Sequence, residues 1–241
     1  MSLIKTAIVL FATAVLVLIF VPLGFIFFII KIIGFKQATT WIIYKLAQIW
    51  ARIVVILSAC SMTVTGREHI PNHGGICFVS NHVGAFDIIL ALAYIGRPFG
   101  FIAKKELLLL PGINLWIYIL GGFFIDRKNP RKALKTIGLG IKRIKDGGSM
   151  LIFPEGTRSR GKEIGTFHPG ALKLASSSNA LIVPIAISGS YEVFEKNYRV
   201  NSAAVSISFL PPINIDTIPQ QDRKILLAEK LHFEIKEALN K

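Results

Sequence analysis

Residues 81–87 are Asn-His-Val-Gly-Ala-Phe-Asp, and this stretch joins a predicted buried strand to a predicted helix. The five residues before it, Ile76 to Ser80, are mostly apolar and follow a glycine-containing turn, which is typical of a strand buried on both faces. An apolar run after Asp87 favours a helix. The polar stretch therefore lies at the carboxyl end of a strand, the edge of an open α/β sheet where ligands bind.

Two interpretations of His82 and Asp87 follow from their spacing. Residues five apart on one helix point about 140° away from each other, so these side chains meet only if His82 stays in the turn. Gly84 makes such a turn easy. A carboxylate on one imidazole nitrogen leaves the other nitrogen free to accept a proton from a hydroxyl group. Alternatively, Asn81 and Asp87 cap the helix and His82 has no chemical role.

The composition indicates a membrane partner. Of the 241 residues, 52% are hydrophobic and only 17% are charged, while the formal net charge is +14. A chain this basic and this apolar is unusual among soluble proteins. The two cysteines, Cys60 and Cys77, lie in apolar surroundings without metal-ligand spacing, and we interpret both as small core residues. Neither a metal site nor a cofactor is predicted.

Residues 1–62 are predicted to form a helical membrane-anchoring region. Residues 7–30 contain no charged side chain, and a helix of that length spans about 36 Å, enough to cross a hydrocarbon core of about 30 Å. A transmembrane helix is favoured, and Pro22 and Gly24 leave a hairpin or a tilted interfacial helix open. A second apolar run, Trp41 to Cys60, is interrupted by polar side chains and is expected in or just under the membrane interface.

Basic residues in this region predict its orientation. Six of them precede the first acidic residue, Glu68: Lys5, Lys31, Lys36, Lys45, Arg52 and Arg67. This bias suits anionic lipid, and four of the six lie between the first apolar run and residue 60. The positive-inside rule then places the C-terminal part on the cytoplasmic face of the cell membrane.

Residues 63–241 are predicted to form an α/β domain with a mixed sheet flanked by helices. Besides Ile76–Ser80, the candidate strands are Phe99–Ala103, Phe123–Asp126, Met150–Phe153, Leu181–Ile187 and Val205–Phe209. The clearest helix is expected to begin at Asn129-Pro130 and to stop at Gly147-Gly148. Its apolar stripe consists of Ala133, Leu134, Ile137, Ile141 and Ile144.

The same helix and its approach carry the densest basic surface of the chain: Arg127, Lys128, Arg131, Lys132, Lys135, Lys142, Arg143 and Lys145. Two interpretations stay open, an ordinary solvated face and a docking site for anionic lipid or an acidic carrier. Nucleic acid is not an expected partner, because no zinc pattern, RNA-binding aromatic signature or recognition helix accompanies the charge.

Residues 153–162, Phe-Pro-Glu-Gly-Thr-Arg-Ser-Arg-Gly-Lys, again follow a predicted strand. Gly156, Gly161 and Lys162 match the spacing of a phosphate-binding P-loop. The next residue, Glu163, replaces the Ser or Thr that holds magnesium, so a nucleoside triphosphate site is rejected. Gly156 and Arg158 still suit an anion. The alternative is an exposed loop rich in glycine and arginine.

Four blocks in this order resemble the glycerolipid acyltransferases, and most of all the bacterial branch that acylates 1-acyl-glycerol-3-phosphate. The blocks are Asn81-His82 with Asp87, Gly-Phe-Phe-Ile-Asp-Arg at 122–127, Phe-Pro-Glu-Gly-Thr-Arg-Ser at 153–159 and Val-Pro-Ile-Ala-Ile at 183–187. The resemblance runs from about residue 65 to residue 215. Each block alone is weak evidence, whereas four ordered blocks at predicted strand ends are a strong signal.

The resemblance implies direct acyl transfer from a thioester, acyl-CoA or acyl carrier protein, to a hydroxyl of a lysolipid such as lysophosphatidic acid. His82 would be the general base and Asp87 its orienting partner, with the substrate hydroxyl in the place of the serine of a Ser-His-Asp arrangement. The family pattern assigns acceptor binding to Arg127, Glu155, Gly156, Thr157 and Arg158, and Lys104 is a further candidate phosphate contact.

Other interpretations are weighed against this one. Arg158 can instead pair with Glu155 or Asp126 and only hold its loop. A serine lipid hydrolase would need a Gly-x-Ser-x-Gly nucleophile elbow, which the sequence lacks. A non-catalytic basic lipid-binding membrane protein would account for the charge and the apolar N-terminus, but not for a His/Asp pair at a strand end. Within the acyltransferases, another lysolipid acceptor is the alternative.

Overall fold

The computed structural model describes residues 2–34 and 36–240, without the side chains of residues 2, 17, 31, 36 and 37. The basic side chains of Lys31 and Lys36 therefore lie outside the described part of the chain. The α-helices are Ser2–Ile32 (α1), Lys36–Ser58 (α2), Phe86–Tyr94 (α3), Ile113–Ile119 (α4), Pro130–Lys145 (α5), Lys173–Ser178 (α6), Ser190–Val193 (α7) and Arg223–Leu239 (α8). The strands are Ser61–Thr65 (β1), Ile76–Ser80 (β2), Gly100–Lys104 (β3), Phe123–Ile125 (β4), Ser149–Ile152 (β5), Leu181–Ser188 (β6), Ala204–Phe209 (β7) and Ile213–Asn214 (β8).

These strands form one mixed sheet in the order β1-β7-β6-β2-β5-β3-β4, with β8 paired to β6. Strands β6, β2, β5, β3 and β4 run parallel, whereas β7 is antiparallel to β6. The predicted fold class is confirmed, and each of the six predicted strands agrees with the structure to within one residue at either end. Strands β1 and β8 were not predicted. The first is a half-exposed edge strand, and the second has only two residues.

Alternate side chains of β2 face two apolar cores, one on each side of the sheet. Ile76 and Phe78 pack into the first core with residues of α2, α3 and α4. Cys77 and Val79 pack into the second core with residues of α5, α6 and α8. Successive side chains of a strand point to opposite faces, so a strand covered by helices on both sides must be apolar throughout.

The two N-terminal helices differ in how they are packed. Both are long and apolar enough to cross a membrane, over Leu3–Ile30 and Ala38–Ser58, by length and composition alone. In the most apolar 18-residue stretch of each span, only 6% of the residues are buried in α1, against 39% in α2. Helix α1 continues through Pro22 and packs against α2 and α4. The exposed apolar surface of these two helices therefore belongs mainly to α1.

Polar side chains of α2 attach it to the domain. The last carbonyl groups of a helix have no partner within that helix. In α3, the carbonyl of Ala93 accepts hydrogen bonds from Gln48 Nε2 at 3.3 Å and Arg52 Nε at 3.2 Å. The hydroxyl of Tyr44 donates to the carbonyl of Leu92 at 3.4 Å. The polar interruptions of the second apolar run thus hold α2 against α3, and α2 shares the first core with the sheet.

Helix α5 begins where the sequence predicts, because the Asn129 side chain accepts the N–H of Lys132 at 3.1 Å. Two details of the prediction are wrong. Leu134, assigned to the apolar stripe, is 51% exposed. Arg143, assigned to the basic surface, is half-buried, and its guanidinium donates to the carbonyls of Ser149 and Leu120, both at 3.3 Å. The position of a residue in a helix predicts which way its side chain points. Whether that side chain is buried depends on the neighbouring elements that pack against the helix.

Candidate active site

The carboxyl ends of parallel strands bring the first and third sequence blocks together. Val79 in β2 pairs with Ile152 in β5, so the residues that follow these two strands are neighbours. Accordingly, the backbone N–H of His82 donates to Glu155 Oε1 at 2.6 Å. Ser159 returns to the same loop and donates its N–H to the carbonyl of His82 at 2.7 Å.

His82 and Asp87 meet, as the first interpretation of their spacing predicts. His82 Nδ1 lies 2.7 Å from Asp87 Oδ2. Because an ionised carboxylate only accepts hydrogen bonds, Nδ1 carries the proton and Nε2 is left as an acceptor. Among the described residues, Nε2 has no hydrogen-bond partner. The imidazole also stacks on Phe153, with ring centroids 4.1 Å apart and planes 19° apart, so both its edge and its face are held.

Asp87 is fully buried and its two oxygens are occupied. Oδ2 also accepts the backbone N–H groups of Val83 at 2.7 Å and Gly84 at 3.1 Å. Oδ1 accepts the hydroxyl of Ser190, which follows β6. The carboxylate therefore accepts four hydrogen bonds, one of them from an imidazole whose side chain is 20% exposed.

The alternative in which Asn81 and Asp87 cap the helix is wrong. The Asn81 amide exchanges two hydrogen bonds with the backbone of Ile187 in β6, each at 2.8 Å. The residue at the cap position of α3 is Ala85, which makes no side-chain cap bond. Asn81 thus extends the pairing of β2 with β6 beyond the last strand residue and fixes the start of the His82 turn.

Glu155 connects two loops of the site through hydrogen bonds to their backbone. Its side chain is buried, with Oε1 on the N–H of His82 and Oε2 on the N–H of Gly165 at 2.9 Å. Burial raises the pKa of the Glu155 carboxyl, and these two amide donors oppose that rise. Both oxygens are engaged, so the carboxylate holds two loops at the sheet edge.

The second sequence block reaches the third through Arg127. The guanidinium of Arg127 donates from Nη1 to the carbonyl of Gly156. Gly156 has φ +69°, a left-handed conformation that favours glycine. The preceding Asp126 is held separately by Lys105, whose Nζ lies 2.8 Å from Asp126 Oδ2. Asp126 thus pairs with Lys105, while Arg127 contacts the turn at Gly156.

Lys104 and Thr157 are exposed at the same edge. Lys104 is the last residue of β3, two strands away from β2, which corresponds to a separation of roughly 10 Å. Neither side chain makes a polar contact with another residue in the described part of the chain. Both are therefore open to a ligand at the edge where His82 lies.

Arg158 pairs with neither Glu155 nor Asp126, so that part of the sequence interpretation is wrong. Its Nη1 lies 2.6 Å from Glu195 Oε1. Glu195 Oε2 accepts the backbone N–H of Ala85, at the start of α3. One carboxylate thus joins Arg158 to the loop that carries the His82–Asp87 dyad.

Ser190 and Glu195 were missed by sequence reasoning, and Phe153 was quoted without a role. Ser190 and Glu195 lie more than 100 residues from their partners in the dyad loop, and no local pattern marks them. The strand order explains both, because β6 is adjacent to β2 and the segment after β6 returns to the same sheet edge.

Comparison with known proteins adds independent information. Residues 61–188 match the protein family described as Acyltransferase. The 1-acyl-sn-glycerol-3-phosphate acyltransferase of Borreliella burgdorferi is 31% identical over 176 residues, which are 73% of this chain and 70% of that protein. The protein of the same name from Escherichia coli is 31% identical over 145 residues, 60% of this chain and 59% of that one.

The fold also has a close structural counterpart. The crystal structure of the 1-acyl-sn-glycerophosphate acyltransferase from Thermotoga maritima superposes with a TM-score of 0.80 and 21% identity, over 98% of this chain and 96% of that one. At this identity the likeness concerns the fold, including the N-terminal helices, and not the substrate.

Proposed function

This chain belongs to the acyltransferase family of enzymes, and we propose that it transfers an acyl chain from a thioester donor to the sn-2 hydroxyl of 1-acyl-glycerol-3-phosphate, giving phosphatidic acid. The observation that carries the proposal is the His82–Asp87 pair, with an imidazole Nε2 available at the ligand-binding edge of the sheet. A non-catalytic lipid-binding protein would have no need of this arrangement.

The reaction follows from the geometry of the pair. Nε2 of His82 takes the proton of the acceptor hydroxyl while its oxygen attacks the thioester carbonyl and forms the new C–O bond. The tetrahedral intermediate then collapses, the C–S bond breaks, and the imidazolium returns the proton to the thiolate. Asp87 stabilises the imidazolium between the two steps. The acceptor supplies the nucleophile, so no acyl-enzyme is formed.

The acceptor phosphate is proposed to lie between Arg127, Gly156, Thr157 and Arg158, with Lys104 at the margin. Arg158 is anchored to Glu195 through Nη1 alone, and a guanidinium has five N–H donors. The remaining donors can grip a phosphate with two parallel hydrogen bonds. Glu195 would therefore orient Arg158 without occupying it.

Arg158→Lys is expected to raise the acceptor KM about 10- to 150-fold, because the substitution loses a charged hydrogen bond worth about 1.5–3 kcal/mol. The donor KM should stay nearly unchanged. Steady-state kinetics with each substrate varied in turn will measure both constants. As a matched control, Arg199→Lys, at an exposed position outside residues 153–162, should alter neither. Equal losses for both substrates together with a lower melting temperature would mean that Arg158 only holds the loop to Glu195.

An apolar cavity of about 140 Å³ offers a place for an acyl chain. It lies between the first four helices and is lined by Phe20, Trp50, Ile88 and Trp116, among others. Ile88 directly follows Asp87, which brings this wall of the cavity close to the dyad. We propose that an acyl chain of one substrate enters here, because burying its methylene groups is favourable by about 0.8 kcal/mol each.

The N-terminal helices are proposed to hold this site at the cytoplasmic surface of the cell membrane. Exposed apolar side chains of α1, such as Phe11 at 72% and Leu18 at 73%, suit insertion among lipid chains. A lysolipid could then present its headgroup to His82 without leaving the bilayer. The basic bias before Glu68 supports the cytoplasmic orientation.

Phe11→Gln with Leu18→Gln is expected to weaken sedimentation of the full chain with vesicles that contain anionic lipid, because it removes two large apolar groups from the membrane-facing surface. Tyr198→Gln, at a residue 80% exposed outside these helices, is the control. Unchanged sedimentation of the double variant would contradict the proposed anchor. Substitution is preferable to deletion of residues 1–60, since α2 is part of the first core.

A panel of acceptors tests the proposed reaction. Purified full-length protein with an acyl-CoA should acylate lysophosphatidic acid in preference to lysophosphatidylcholine, which carries no phosphomonoester, and mass spectrometry should identify phosphatidic acid. Preference for an acceptor without a phosphomonoester would favour the other lysolipids. A protein that acylates no acceptor from any thioester would leave only the lipid-binding alternative.

A further inference from the structure

The exposed side of α5 carries a row of cations. We call it the α5 basic face, and its residues are Arg131, Lys132, Lys135, Lys142 and Lys145, all exposed. Lys142 pairs with Asp146 at 2.8 Å, whereas the other four form no ion pair with any residue that the structure describes. From Arg131 to Lys145 the face is about 21 Å long.

The first turn of α5 is charged against its own helix dipole. The N-terminal end of a helix bears a partial positive charge and is stabilised by acidic side chains. Helix α5 has no acidic residue in its first turn, and Arg131 and Lys132 lie there instead, after Arg127 and Lys128. This arrangement lowers the stability of the isolated helix. It concentrates positive potential beside the sheet edge at which His82 lies, which we call the catalytic edge. An anionic partner would reduce the repulsion among these cations.

Apolar surface interrupts the cations. Leu134 is 51% exposed and Leu139 is 46% exposed, with Gly138 on the same side of the helix between them. A Cβ at Gly138 would meet nothing within 4 Å, whereas a Cβ at Gly140 would lie 2.5 Å from Leu174 Cδ1. Close packing against Leu174 therefore explains why residue 140 is a glycine. No such contact explains the glycine at position 138, where glycine weakens the helix interior. A flat apolar strip rimmed by cations is suited to contact with another protein.

The position of the face favours a protein over a membrane. Helix α5 packs into the second core through Ile144, while α2 packs into the first core through Tyr44 on the opposite side of the sheet. A bilayer that covers the apolar side chains of α1 therefore lies away from the α5 basic face. The face instead begins at the catalytic edge, next to the contact of Arg127 with Gly156.

We propose that the α5 basic face docks an acidic carrier protein that delivers the acyl thioester, an inference that rests on the proposed function. Cations spread over about 21 Å, with leucines among them, match the face of a protein better than the clustered phosphates of a nucleotide. Attraction between the two charged surfaces raises the rate of encounter and orients the carrier so that its thioester reaches the dyad.

The test is the triple variant Arg131→Glu, Lys132→Glu and Lys135→Glu in the full chain. Arg131→Glu and Lys132→Glu place acidic residues in the first turn of α5, where they complement the helix dipole, and Lys135 is exposed, so the variant is expected to fold at least as well as the wild type. At low salt, kcat/KM with an acylated acidic carrier protein should fall about 10- to 100-fold, while kcat/KM with the acyl-CoA should change by less than about twofold. The difference should shrink at high salt, where exposed charges are screened.

A matched control reverses three exposed lysines of α8: Lys224→Glu, Lys230→Glu and Lys236→Glu. It carries the same change in net charge, and it should keep the carrier-dependent rate if docking is local to α5. The inference is overturned if this control loses as much, if both donors lose equally, or if the wild type uses acyl-CoA but not the carrier. Loss of binding to anionic vesicles by the α5 variant, with the donor ratio unchanged, would also overturn it and assign the face to lipid. Absence of turnover with every donor would overturn the proposed function as well.

Discussion

Replacing His82 with alanine is expected to lower kcat by a factor of about 10²–10⁴, the usual contribution of a positioned general base. Nε2 is the ring nitrogen that can accept the proton of the acceptor hydroxyl, because Nδ1 is hydrogen-bonded to Asp87. In the variant, the carboxylate keeps the N–H groups of Val83 and Gly84 and the Ser190 hydroxyl. The domain should therefore remain folded, and initial rates and a melting curve will separate chemistry from stability.

His73→Ala is the matched control for this experiment. His73 is exposed in the turn before β2, at the opposite end of that strand from His82, and its loss should leave kcat unchanged. Turnover near the wild-type rate in His82→Ala would exclude the imidazole as the base and would mean that another group takes the proton.

Asp87→Asn is expected to lower kcat about 10- to 150-fold, which corresponds to a charged hydrogen bond of about 1.5–3 kcal/mol. An asparagine that turned its NH₂ toward Nδ1 would impose the wrong imidazole tautomer. That orientation would also point the NH₂ at the N–H groups of Val83 and Gly84, which need an acceptor. We therefore expect the amide oxygen to stay in the place of Oδ2, with the tautomer kept and the negative charge lost.

Two measurements distinguish these outcomes. The kcat of Asp87→Asn reports the size of the loss, and ¹⁵N NMR of the imidazole reports which ring nitrogen carries the proton. A loss as large as that of His82→Ala, with the proton on Nε2, would show that the amide turned and that the two backbone donors do not control its orientation. Asp216→Asn, at an exposed residue outside the site, should leave the rate unchanged.

Local patterns were sufficient for the central unit of this protein. A continuous apolar run, a turn and a second apolar run favour a strand covered on both faces, a loop and a helix, and β2 and α3 confirm this prediction. The spacing of His82 and Asp87 left two interpretations open, and the resemblance of four ordered blocks favoured the one in which the two side chains meet, as they do in the structure. The start of α5 at Asn129 followed from capping chemistry, which is also local.

What surrounds the dyad was decided only by the tertiary structure. Ser190 and Glu195 reach the site because β6 is adjacent to β2, and strand order is not encoded in the period of any one strand. The same order gives Arg158 the partner Glu195, and the packing around α5 exposes Leu134 while it covers Arg143. Periodicity fixes which way a side chain points along its own element, but a contact also depends on what the rest of the chain brings to that place.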